Sequence, residues 1–219
     1  MADMKLLGGV NRRHFIVSGG AAACSIPSWA QGSGQRALIL VVGDSLSAEY
    51  GLRRGEGWVP LMEQRIAQQK IPATVVNASI SGDTSSGGRT RLPALLAQHK
   101  PTHLVLELGA NDALRGLPIQ GTQDNLTQMA RSAQAAGAKV LVVGIQVPPN
   151  YGSAYTRQFE AMFKKVADDT HSALVPFLLQ GIADAPNAES LFQADRIHPT
   201  ASAQARMLDN VWPSLKKLL

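Results

Sequence analysis

Four short segments gather residue types that could carry out acyl transfer: Gly43-Asp44-Ser45-Leu46, Ala78-Ser79-Ile80-Ser81-Gly82-Asp83, Gly109-Ala110-Asn111-Asp112 and Asp195-Arg196-Ile197-His198. A serine hydroxyl is a poor nucleophile unless a base lies within hydrogen-bonding reach and a third group orients that base. Of the five histidines, His198 alone combines a carboxylate three residues earlier with a closing proline, Pro199. One tight turn over that spacing can bring Asp195 to Nδ1 of His198, fixing the tautomer and leaving Nε2 for Ser45. Acyl transfer also needs donors aimed at a developing oxyanion, each worth on the order of 10² to 10³ in rate. The Ser45 amide, the Gly82 amide and the Asn111 side chain are the candidates. Each segment alone also has a plainer use: Asp195 as a helix cap with His198 on the surface, Gly82 as a turn glycine, Asn111 as an Asx turn.

The elements that must position these residues follow from the apolar pattern. Runs at Ala37–Val42, Thr74–Asn77, His103–Leu108, Lys139–Ile145 and Ala173–Val175 read as five strands. Helical stretches alternate with them: Trp58–Gln69, one ending near His99, Asp124–Ala136 stopped by Gly137, one near Tyr155–Thr170, and a closing helix over Pro199–Leu219 interrupted by Pro213. Continuous apolar strands imply a parallel sheet covered on both faces, hence a three-layer αβα sandwich with a five-stranded sheet. In such sheets ligands sit beyond the carboxyl ends of the strands. Three of the four segments directly follow a strand there; the fourth comes after the last strand and its helical stretch.

Composition and motif checks remove several alternatives. An apolar fraction of 45% against 17% charged residues excludes disorder, and a single cysteine excludes a disulfide scaffold or a zinc finger. The Gly82–Gly87 stretch has phosphate-loop spacing, but Gly88 stands where lysine is needed. Neither a Gly-x-Gly-x-x-Gly fingerprint nor a Gly-x-Ser-x-Gly elbow is present, which argues against a dinucleotide enzyme and an ordinary α/β-hydrolase.

Residues 1–30 read as a cleaved signal peptide, with Lys5, Arg12 and Arg13 followed by a weakly apolar stretch ending Ser28-Trp29-Ala30. Asn11-Arg12-Arg13-His14-Phe15-Ile16 resembles a twin-arginine export signal, with an ordinary secretory leader as the alternative. The run is too short and too broken to span a membrane. Removing 30 of the 219 residues leaves 189, expected to form one domain over 31–219 without cysteine. Three basic residues and one acidic residue leave with the leader, so the net charge falls from +5 to +3. Scattered charge of that size gives no reason to expect nucleic acid. No heptad or long apolar stripe is present, and a monomer is expected.

In this order the four segments resemble the blocks of the GDSL, or SGNH, hydrolase family, whose four named residues correspond here to Ser45, Gly82, Asn111 and His198. Longer stretches, including Val76–Ser85, Arg91–Gln98, Leu108–Gly116 and Asn150-Tyr151-Gly152, resemble a branch of periplasmic acyl-CoA thioesterases that also act as lysophospholipases and arylesterases. The resemblance implies a flavodoxin-like sandwich and a serine esterase or thioesterase in which Ser45 is the nucleophile, His198 the base and Asp195 its orienter. It further implies an oxyanion hole of Ser45, Gly82 and Asn111, with Leu114, Leu117 and Ile197 lining a site for a small or lipid-like acyl substrate. No metal or organic cofactor is required. A carbohydrate acetylesterase with the same residues and a non-catalytic acyl-binding protein are the rival readings. Glu49, Ala110 and Arg196 depart from this branch, each standing where glycine is common.

Overall fold

The computed structural model describes residues 36–219; the leader and cleavage site expected within residues 1–30 lie outside them. Five strands, β1 (Ala37–Gly43), β2 (Ala73–Asn77), β3 (His103–Glu107), β4 (Lys139–Val143) and β5 (Ala173–Val175), form one parallel sheet in the order β2-β1-β3-β4-β5. Seven helices accompany them among the described residues: α1 (Trp58–Gln68), α2 (Ser85–His99), α3 (Ala110–Leu114), α4 (Ile119–Ala135), α5 (Ser153–Thr170), α6 (Ala188–Leu191) and α7 (Gln204–Lys216). Helices α2, α4 and α5 pack side by side against one face, while α1 and α7 pair on the other. Both faces are thus covered, and Ile39, Leu40, Val41 and Val42 of β1 are all fully buried.

The order of strand addition reverses at β1, which has β2 on one side and β3 on the other. At such a switch point the loops leaving neighbouring strands diverge and open a crevice. Gly43 pairs in register with Glu107, so the segments bearing Ser45 and Asn111 leave the sheet side by side.

Several sequence expectations are corrected here. Helix α4 starts at Ile119 rather than Asp124, because Pro118 sets the extended residue before it and Ile119, Thr122 and Leu126 turn inward onto the core. That packing offsets the roughly 1 kcal/mol that Gly121 costs inside a helix. Helix α7 passes through Pro213 unbroken. Pro213 is exposed, so the carbonyl it leaves unpaired can face water. Strand β4 stops at Val143 instead of Ile145: Gly144 N–H bonds the Val175 carbonyl, and an added Cβ there would lie 2.4 Å from the Pro176 carbonyl oxygen. Residues 85–88, near the discarded phosphate loop, are the first turn of α2, capped by Thr84, whose hydroxyl accepts the Gly87 N–H.

Candidate active site

Ser45 stands in a turn directly after β1. The Asp44 carboxylate accepts the Leu46 N–H at 3.0 Å, an Asx turn, while the Asp44 carbonyl accepts the N–H of Ala48 at 2.9 Å. This closed turn lifts the Ser45 side chain out of the sheet edge, where it is partly exposed.

The segment 195–198 closes on itself as its spacing predicts. Asp195 Oδ1 accepts the N–H groups of Ile197 and His198 at 2.9 and 3.0 Å, and Oδ2 meets His198 Nδ1 at 2.7 Å. Arg196 takes a left-handed φ of 59°, which tightens the turn. A backbone bond from Gln193 N–H to the His198 carbonyl, 2.8 Å, holds the turn to the chain before it. On the far side of the ring, His198 Nε2 lies 2.8 Å from Ser45 Oγ. Partial burial opposes ionisation of Asp195, but the hydrogen bonds from the backbone and ring of His198 and from Ile197 outweigh it and hold the carboxyl at about 2. Asp195 is therefore a fixed negative charge at neutral pH, able to steady an imidazolium. The Asp195-to-helix-cap alternative falls away, because the carboxylate is engaged within its own turn.

Ser45, Gly82, Asn111 and His198 line one cavity of about 710 Å³. Gly82 has φ +78°, and an added Cβ there would approach only the Arg115 guanidinium, at 3.8 Å. That guanidinium donates to the Gly82 carbonyl at 2.7 Å and so holds the peptide bearing the next residues. The rest of the wall is mostly apolar, with Ile145, Val147, Phe177, Leu179 and Phe192. Leu114 and Ile197 line it as well. Leu117 does not: its N–H bonds back to the Asp112 carbonyl, turning the chain toward α4 and away from the cavity.

Several neighbours of the site escaped sequence reasoning. The Tyr50 ring lies 4.2 Å from the His198 ring, tilted by 36°, and Gln193 ties the Tyr50 carbonyl to this turn. Asp112 is buried and accepts the N–H and hydroxyl of Ser85 and the hydroxyl of Thr122, so the short helix bearing Asn111 is bolted to α2 and α4. Beneath Ser45, the Asp44 and Glu107 carboxyls are both buried, and burial, reinforced by their mutual repulsion in the case of Glu107, pushes both above the ordinary carboxylate range. Glu107 accepts the Ser47 hydroxyl at 2.7 Å and Asp44 accepts Asn111 Nδ2 at 3.0 Å. The one visible signal was a glutamate inside the otherwise apolar run 104–108.

A parallel αβα sandwich with a serine, imidazole and carboxylate in hydrogen-bonded series at the switch point defines a hydrolase architecture of the acyl-transfer class. The family model of the GDSL-like lipase/acylhydrolase family matches residues 41–206. The chain is 53% identical over 181 residues to esterase TesA of Pseudomonas aeruginosa, covering 83% of this chain and 89% of that protein. It is 39% identical, over 83% of this chain and 84% of the relative, to thioesterase 1/protease 1/lysophospholipase L1 of Escherichia coli K12. A crystal structure of TesA superposes with a TM-score of 0.80 at 53% identity, covering 83% of this chain and 99% of the other. The chain therefore belongs to the GDSL-like lipase/acylhydrolase family. It is an acyl ester hydrolase.

Proposed function

We propose that this hydrolase cleaves aryl esters, acyl thioesters and lysophospholipid-type esters through an acyl-enzyme on Ser45. The observation that carries the reading is the continuous series Asp195 Oδ2 to His198 Nδ1 at 2.7 Å and His198 Nε2 to Ser45 Oγ at 2.8 Å, opening on an apolar cavity. Ser45 Oγ attacks the carbonyl carbon as Nε2 takes its proton. Asp195 keeps the remaining proton on Nδ1 and balances the imidazolium charge. The oxyanion is held by the amides of Ser45 and Gly82 and the Asn111 side chain. On collapse Nε2 returns the proton to the departing alkoxide or thiolate. Water, losing a proton to the same nitrogen, then adds to the acyl-enzyme, and the acid leaves as Nε2 returns that proton to Ser45 Oγ.

The expected result for Ser45→Ala is an unchanged melting temperature with ester hydrolysis down by on the order of 10³-fold or more. A fluorophosphonate should add once to the wild type and not to that variant; equal turnover by the variant would overturn the assignment. The apolar wall supports fatty and aryl acyl groups over sugar acetates. Faster turnover of acetylated xylan than of fatty acyl p-nitrophenyl esters would reverse that choice.

Export of a mature 31–219 domain, by the twin-arginine route, rests on the leader read at residues 1–30. Among the described residues no helix is long and apolar enough to cross a membrane. Intact mass of periplasmic protein, with mass starting at Gln31, tests the cleavage. Light scattering tests the monomer.

A further inference from the structure

Asp44 is fully buried beside the nucleophile, yet its carboxylate meets no cation among the described residues. Its Oδ1 accepts the Leu46 N–H and its Oδ2 accepts Asn111 Nδ2, each at 3.0 Å. One carboxyl group thus holds both the turn that carries Ser45 and a side chain 67 residues away. Glu107 holds the backbone of Asp44 and the turn that follows it. It accepts the backbone N–H of Asp44 at 3.4 Å and the Ser47 hydroxyl at 2.7 Å.

A primary amide carries two hydrogens on nitrogen and none on oxygen. With one hydrogen committed to Asp44, the second is fixed in the amide plane and cannot change places with Oδ1. Rotation of that amide by half a turn would present a lone pair where an oxyanion forms, replacing attraction by repulsion. Asn111 lines the cavity together with Ser45, so the orientation of its amide decides whether it donates there.

We propose that Asp44 is a positioning residue for oxyanion stabilisation: its buried carboxyl holds the Asn111 amide with Nδ2, rather than Oδ1, available to the cavity beside Ser45. This inference rests on the acyl-transfer reading of the same site. Asp44 acts through Asn111 and touches no reacting atom.

Asp44→Asn separates the two arms of the carboxylate. Its Oδ1 still accepts the Leu46 N–H, so the Ser45 turn survives, while its Nδ2 opposes Asn111 Nδ2, donor against donor. The expected outcome is a kcat for p-nitrophenyl esters lower by on the order of 10²-fold, with KM within about twofold. Fluorophosphonate titration of active sites keeps the rates referred to folded enzyme. In an Asn111→Ala background the same substitution should cost less than about threefold more, since the group it positions is gone. An Asp44→Asn enzyme with kcat near wild type, or a double variant whose losses multiply, overturns the proposal while leaving the acyl-transfer reading intact. An Asn111→Ala enzyme at the wild-type rate overturns the proposal together with the oxyanion role of Asn111, whereas the acyl-transfer reading falls only with Ser45→Ala. Independently of folding in the variants, one of the two protons of the wild-type Asn111 side-chain amide, assigned by its loss in Asn111→Ala, should be protected from solvent exchange. Two protons that both exchange at the unprotected rate would overturn the positioning role.

Discussion

At the scale of single residues, the site depends on charges and donors held in fixed directions. Asp195 illustrates this, since its carboxyl sits below its ordinary value of 3.8, at about 2. A lowered carboxyl stabilises the fold above its unfolded value, and that contribution is lost only as pH falls from about 3.8 through 2. A carboxyl NMR titration of Asp195 with a midpoint near 4 would contradict the hydrogen-bond set. Asp195→Asn leaves a neutral group where the Nδ1 proton must be accepted, and kcat is expected to fall by on the order of 10² to 10⁴ with the fold intact. A loss under tenfold would mean that the turn alone orients His198. Glu49 and Arg196, two of the positions where the resemblance places glycine, both adopt φ of 59°. A left-handed conformation costs roughly 1–2 kcal/mol for a residue with a Cβ. Glu49 recovers part of it, because its Oε1 accepts the N–H groups of Gly55 and Gly57, each at 2.8 Å.

At the scale of elements, the strand-to-turn junctions leave little room. A Cβ added at Gly43 would lie 2.8 Å from both Glu107 Oε2 and Ser47 Oγ. Those two atoms are bonded to each other, so neither can retreat without breaking a buried hydrogen bond. Gly43→Ala is therefore expected to cost roughly 1–3 kcal/mol, a fall of several degrees in melting temperature. An unchanged melting temperature would show that the junction relaxes. The strands and most helices were legible because their apolar runs are continuous and their stops are Gly, Pro or capping residues. Helix α3 was not, since five residues show no periodicity and its inward side is held by Asp112 bonding to Ser85 and Thr122. The start of α4 was misplaced for a related reason: Asp124 looks like a cap, but the tertiary packing of Ile119 and Thr122 extends the helix past it.

At the scale of the whole molecule, the buried acids beneath the site couple folding to pH. Burial first, and the neighbouring Asp44 second, raise Glu107 well above its ordinary value of 4.5. The unfolded chain releases this proton near 4.5, while the folded chain holds it to higher pH. Stability from this group is therefore fully present below about 4.5 and lost as pH rises through the folded value. Between pH 5 and 8 the wild-type melting temperature is expected to fall more steeply than that of Glu107→Gln. Parallel curves would show that Glu107 keeps the same charge folded and unfolded. His103 works in the opposite sense: burial lowers it, so its contribution is present above about 6.5 and lost on acidification. Its Nε2 bonds the Leu218 carbonyl at 3.0 Å, which places that loss at the C-terminal end of the chain.

The sequence by itself determined whatever is local in the chain. The Asp195 and His198 pair lies within four residues, so a single tight turn is enough to bring carboxylate to imidazole. The strand runs, with segments at their carboxyl ends, implied a covered parallel sheet with Ser45, Gly82 and Asn111 at one edge. Only the tertiary structure decided how residues far apart in the chain meet. The 67 residues between Asp44 and Asn111, the 60 between Ser47 and Glu107 and the contact of Tyr50 with His198 are bridged by the order β2-β1-β3 and its register. The physical reason is that such contacts draw on burial and strand pairing across the whole sheet, terms that no short stretch of sequence contains.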